Sequence, residues 1–123
     1  MSPTARSLAW LRDGGWVAGV VERWNPGARV RMDFLGFADI VAVHPKDKRT
    51  AAVQACVTGD IRKRLDKIRM SELARQWMES GNEIFVFGWA KRGPRGARKV
   101  WTLTGRHVAY ADLAPAAERS EAT

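Results

Sequence analysis

Asp39 sits inside the apolar run GFADIVAV (36–43), and Gln54 inside a second one, AAVQACV (51–57). An unpaired carboxylate is costly to desolvate, so an acid in a strand core calls for a partner. Side chains alternate faces along a strand. Phe37, Asp39, Val41 and Val43 therefore share a face, as do Ala52, Gln54 and Cys56, and Val20 and Glu22 on an earlier strand. If the three strands are neighbours in register, Glu22, Asp39 and Gln54 converge on one point. An all-oxygen set with net negative charge suits Mg²⁺ or Mn²⁺. Such an ion activates a water and stabilises charge on a phosphoryl oxygen. Each residue also has a plainer role. Asp39 can bond to backbone or to Arg31, Gln54 can be a satisfied core amide, and Glu22 can pair with Arg23, Arg29 or Arg31. Cys56 can be a small buried hydrophobe. Two successive polar-centred strands favour ligation for Asp39.

The elements that would position these residues follow from the pattern. Residues 3–13 read as a helix, with Leu8 and Leu11 on one side and Gly14-Gly15 after it. WVAGVVER (16–23) is rich in β-branched residues and predicts a strand. WNPGA turns the chain, RVRMDF is extended or irregular, and strands follow at 37–43 and 50–57 around a polar hairpin loop. Asp60 is placed to cap a helix to Met70, and Ser71 one that ends at Gly81. NEIFVFGWA (82–90) is a strand and RKVWTLT its hairpin partner, with HVAY a short edge strand. Three strands before two helices make this an α+β protein with a mixed sheet rather than a strict alternation. Residues 1–113 read as one domain, and 114–123 as a flexible C-terminal tail.

Composition narrows the partners. The chain of 123 residues fits a single core, and Trp10, Trp77 and Trp89 are expected in it. One cysteine excludes an internal disulfide framework and fits a reducing cytoplasm. No apolar stretch reads as a membrane span. The net charge of +8 is concentrated in two runs, RKRLDKIR and KRGPRGARK. Such density suits phosphate neutralisation, although a single run of this kind is usually a solvated face. Arg23, Arg29, Arg31, Arg62, Lys63, Arg64, Lys67, Arg92, Arg95, Arg98 and Lys99 are the candidate backbone contacts. Trp24, between Arg23 and Asn25, is the candidate for stacking on a base or sugar.

GFADIVAV followed by a short hairpin and AVQAC resembles the core of the PD-(D/E)XK nuclease superfamily. Within it the pattern is most similar to Holliday junction resolvases and small phage-encoded resolvase-like proteins. The resemblance runs over residues 5–90 and implies an αβββαβ restriction-endonuclease-like core. Asp39 matches the motif aspartate, a metal ligand, and Gln54 stands at the (D/E) position. Cys56 stands where the family has lysine, and residues 3–12 hold no counterpart of the resolvases' helical glutamate. Glu22 is the candidate substitute for that glutamate, Lys63 or Lys67 for the amine, and Asp33 is a spare carboxylate at the mouth of the site. The resemblance implies a Mg²⁺- or Mn²⁺-dependent endodeoxyribonuclease acting on branched or double-stranded DNA. It further implies a homodimer, in the cytoplasm of a bacterial or phage-infected host cell. The alternative is a nuclease-fold DNA-binding module that has lost cleavage, and the weakest reading is an assembly subunit for an acidic protein.

Overall fold

The computed structural model describes residues 1–115. Helix α1 (Pro3–Asp13) starts where Ser2 Oγ accepts the Ala5 N–H at 3.1 Å, with Pro3 in the first turn. Strands β1 (Val17–Val20), β2 (Arg23–Asn25), β3 (Val30–Met32), β4 (Ile40–His44) and β5 (Arg49–Val57) follow. A 3₁₀ turn, Thr58–Asp60, feeds α2 (Ile61–Arg69) and then α3 (Glu72–Glu79). Strands β6 (Glu83–Arg92) and β7 (Val100–His107) close the fold, with a last 3₁₀ turn at Tyr110–Asp112.

The main sheet has the order β1-β4-β5-β6-β7. Only β5 and β6 are parallel, and α2 and α3 make the crossover between them. Setting aside the β2–β3 ribbon, the order through β6 is helix, three strands, helices, strand. The α+β class and the mixed central sheet flanked by helices are as expected. Strand β5 is central and buried on both faces, which explains its nearly unbroken apolar run. Ala51 and Val53 pack with Leu11 and Trp16 on the α1 side, while Ala52 and Cys56 pack with Ile61, Ile68 and Ala74 on the α2–α3 side. Gly88 lets α2 approach β6: a Cβ there would run into Ile61 and come within 2.9 Å of Thr58 Cα.

Several local expectations need correction. The strand expected at 16–23 stops at Val20, and the segment expected to be extended or irregular is extended over β3, which pairs with β2 in a separate ribbon. Asp60 makes no side-chain cap, because it ends the 3₁₀ turn, whereas Ser71 Oγ does accept the Ala74 N–H. HVAY is not a separate edge strand: His107 ends β7, itself the edge, and Tyr110 begins a 3₁₀ turn. Trp77 and Trp89 are core, but Trp10 is about half exposed, with its ring against Phe87. Ala114 is fully buried and its N–H donates to Arg69 O, so it belongs to the domain. Residues 116–123 of the expected tail lie outside the described residues.

Candidate metal centre

Ile40 opposes Val53, and both side chains face α1. The strand expected at 37–43 begins only at Ile40, so Asp39 lies one residue before β4; its N–H still pairs with β5, and it and Gln54 both face α2. The Asp39 N–H donates to Val53 O at 2.9 Å. Gln54 Nε2 donates to Asp39 Oδ2 at 2.7 Å, and the Ala55 N–H donates to the same oxygen at 2.8 Å. Both side chains are buried, at 4% and 3% exposure. Gln54 thus presents its amide nitrogen, not its oxygen, to Asp39. Its Oε1 is buried without a hydrogen-bond partner.

Glu22 reaches the same point by a route that alternation does not predict. Val20 opposes Ile40, so simple parity would send Glu22 to the α1 side. Instead the Val21 and Glu22 N–H groups both donate to Asp39 O, at 2.9 and 3.4 Å. Two successive donors on one carbonyl mark a bulge, which inserts a residue and re-aims the side chain that follows.

Asp33 arrives through a tight loop. Phe34 and Ala38 pair across it, with N–H···O distances of 2.7 and 3.0 Å. That pairing sets Asp33 opposite Asp39. Closing the loop puts Leu35 and Gly36 in the left-handed region, at φ 53° and 80°. This costs glycine nothing and leucine about a kcal/mol or more.

Glu22, Asp33 and Asp39 therefore form a trio whose ligand oxygens lie within 4.8 Å of one another. Burial pushes the Asp39 carboxyl up to about 7 from its ordinary 3.8; the Ala55 N–H opposes the shift, and the charges of Asp33 and Glu22 add to it. The donor set is hard oxygen, which fits a divalent cation. The orphan Gln54 Oε1 beside it is a further oxygen with unspent acceptor capacity.

Cations rim the trio without neutralising it. Lys67 Nζ lies 3.5 Å from Asp33 Oδ2, and Arg31 Nη1 3.6 Å from Glu22 Oε1, both on half-exposed or exposed side chains. Lys63 is exposed on α2 and makes no ion pair among the described residues, so Lys67 is the amine that reaches the site. Cys56 is buried in the α2–α3 core. Burial raises its thiol pKa, while the nearby Arg64 charge lowers it. Arg64 Nε is itself buried without a partner. Arg62 is exposed on α2, and Arg92, Arg95, Arg98 and Lys99 are exposed at the β6–β7 turn. Arg23, Trp24, Arg29 and Arg31 are exposed on or beside the β2–β3 ribbon.

The structure thus brings Glu22, Asp39 and Gln54 together and promotes Asp33 from a spare acid to a full member. Two aspartates flanking a Leu-Gly turn, DFLGFAD, was the signal for it. No protein-family model, curated protein or solved structure matches the chain. No helix among the described residues is long and apolar enough to cross a membrane.

Proposed function

We propose that this chain is a metal-dependent endodeoxyribonuclease of the PD-(D/E)XK type, holding Mg²⁺ or Mn²⁺ on Glu22, Asp33 and Asp39. The trio, set against the buried Gln54 amide, is the observation that carries the reading. An ion bound there supplies an activated water and polarises a phosphoryl oxygen. Gln54 and the Ala55 N–H fix the Asp39 carboxylate, as partners behind a ligand do. Lys67 and Arg64, on one side of α2, supply positive charge where the family's strand lysine is replaced by Cys56. Arg62, Lys63 and the β6–β7 turn neutralise backbone phosphates further out. In the reaction water's oxygen joins phosphorus, the bond to one sugar oxygen breaks, and that oxygen takes a proton.

The test is calorimetry with Mn²⁺ together with cleavage of linear, forked and four-way DNA in Mg²⁺ or Mn²⁺. Asp39→Ala should lower cleavage by roughly 100-fold or more, beyond the effect of losing an outer partner. Cleavage by Asp39→Ala at the wild-type rate, or of no substrate by wild type, overturns the proposal. Cutting a four-way junction at two symmetric points requires paired sites, so a two-fold homodimer belongs to the reading. The apolar run IFVFGW (84–89) and the helix around Trp77 read from the sequence as the dimer interface, but β6 is interior to the sheet and Trp77 packs against Phe34, which removes both. A bacterial or phage-infected cytoplasm is the setting that supplies such DNA.

One observation favours a second reading, a DNA-binding module without cleavage. Cys56 offers a buried neutral thiol where catalysis in the family uses an amine. That reading expects salt-dependent DNA binding indifferent to chelator.

A further inference from the structure

The β2–β3 ribbon is a sheet of its own. Its paired residues are Arg23 with Met32, Trp24 with Arg31 and Asn25 with Val30. An isolated two-stranded hairpin is marginal in water, so something must hold it. Its tip is well made: Asn25 Oδ1 accepts the Gly27 and Ala28 N–H groups, at 3.0 and 3.2 Å. Its strands, by contrast, are exposed, and Trp24, Val30 and Met32 show 55%, 50% and 41% of their surface.

The base of the ribbon joins the main sheet beside the acidic trio, through the Val21 and Glu22 N–H bonds to Asp39 O and the Phe34–Ala38 pairing. Glu22 directly precedes β2 and Asp33 directly follows β3. Their ligand oxygens are within 4.8 Å of each other and of Asp39, which is anchored in the main sheet. The neighbouring Gln54 is 97% buried and donates to Asp39, and its Oε1 has no hydrogen-bond partner, so a buried oxygen beside the trio keeps its acceptor capacity. Without a metal ion, Arg31 at 3.6 Å from Glu22 and Lys67 at 3.5 Å from Asp33 offset only part of the repulsion among the three clustered carboxylates. With one, both feet are tied to each other and to β4.

We propose that the β2–β3 ribbon is a DNA-gripping arm whose two feet are clamped by the metal, so that ion binding and duplex binding reinforce each other. The inference rests on the metal site proposed above, and adds to it a substrate class and a coupling. The occupant is B-form duplex. Arg23, Arg29 and Arg31 give the ribbon the charge for phosphates, and a two-stranded β-ribbon fits the major groove, about 12 Å wide. An RNA duplex has a major groove too narrow for it. Coupling of this kind is reciprocal, since whatever the ion does for the arm the arm's ligand does for the ion.

Two measurements test this. The first is hydrogen exchange of the full chain over residues 23–32, with and without Mn²⁺. Mn²⁺ should slow exchange there roughly fivefold or more. Glu22→Gln and Asp33→Asn should abolish the slowing while the amides of β5 and β6 stay protected, which shows the fold is intact. The second is anisotropy with 20-base-pair DNA and RNA duplexes made cleavage-resistant by phosphorothioate linkages, which keep the backbone charge. Mn²⁺ should tighten DNA binding by a similar factor and leave RNA unaffected, and Trp24→Ser with Arg29→Ser should remove the tightening. Mn²⁺ binding seen by calorimetry without protection of 23–32 overturns the coupling and leaves the metal site standing. Absence of Mn²⁺ binding overturns both. Protection with RNA bound as well as DNA, or with a second copy of the chain in place of DNA, overturns the assigned occupant. Protection and DNA tightening without any cleavage uphold the arm and the metal site, overturn the nuclease activity, and equally rule out a binding module indifferent to chelator.

Discussion

The two ends of the main sheet handle buried acid in opposite ways. At one end Glu83 opens β6 and is fully partnered. Arg49 donates to it twice, at 2.7 and 2.8 Å, and His107 Nε2 lies 3.0 Å from Oε1. The Trp77 indole donates to its carbonyl at 2.8 Å. Hydrogen bonds from Arg49 are the main reason its carboxyl titrates below the ordinary carboxylate range, with His107 assisting against some burial. At the other end Asp39 is more deeply buried, faces two further acids, and has its carboxyl raised to about 7. The amide and N–H that hold it bring no charge. One end is closed on itself and holds strands together. The other stores a charge imbalance that an external cation would relieve.

The contrast sharpens most at Asp39. Asp39→Asn should lower Mn²⁺ affinity by roughly 100-fold or more while making the metal-free protein more heat-stable, because the buried charge disappears. A drop in metal-free stability would place Asp39 with Glu83 as a structural acid. The same asymmetry sets the pH course. Below 3.8 the Asp39 carboxyl is protonated in folded and unfolded chains alike. Between 3.8 and about 7 only the folded chain keeps the proton, so metal-free stability falls as pH rises, by roughly 1.4 kcal/mol per unit from this group. Urea titrations from pH 4 to 8 should show that fall in wild type and its loss in Asp39→Asn.

At the closed end the expected change is smaller and of opposite sign. Glu83→Gln should destabilise the protein by about 1–3 kcal/mol, the usual cost of losing charge-assisted hydrogen bonds, without altering Mn²⁺ affinity. Its contribution is complete above the unfolded carboxylate pKa and is lost as pH falls through the depressed folded value. A change in metal affinity would show that the two ends are not independent. The smallest effect belongs to Lys67, half exposed beside Asp33. Lys67→Ala should move stability by less than about 1 kcal/mol, yet weaken DNA binding and reduce its salt dependence. Unchanged DNA binding would assign the pair to the surface alone.

Alternation of apolar and polar residues sufficed to predict that Asp39 and Gln54 share a face, because strand geometry allows nothing else once the strands pair in register. The same local physics marked α1, α3 with its Ser71 cap, and the β6–β7 hairpin. The positions of the other two carboxylates depended on contacts between distant segments. Glu22 reaches the site beside a bulge on Asp39 O, and Asp33 through a loop that takes Leu35 into the left-handed region. Neither departure is favoured by its own residue types; each is held by pairing with neighbouring chain. The sequence by itself thus determined the strands, the buried acid and its amide, through periodicity. Tertiary structure alone decided that three carboxylates meet, since that depends on the bends that join the strands.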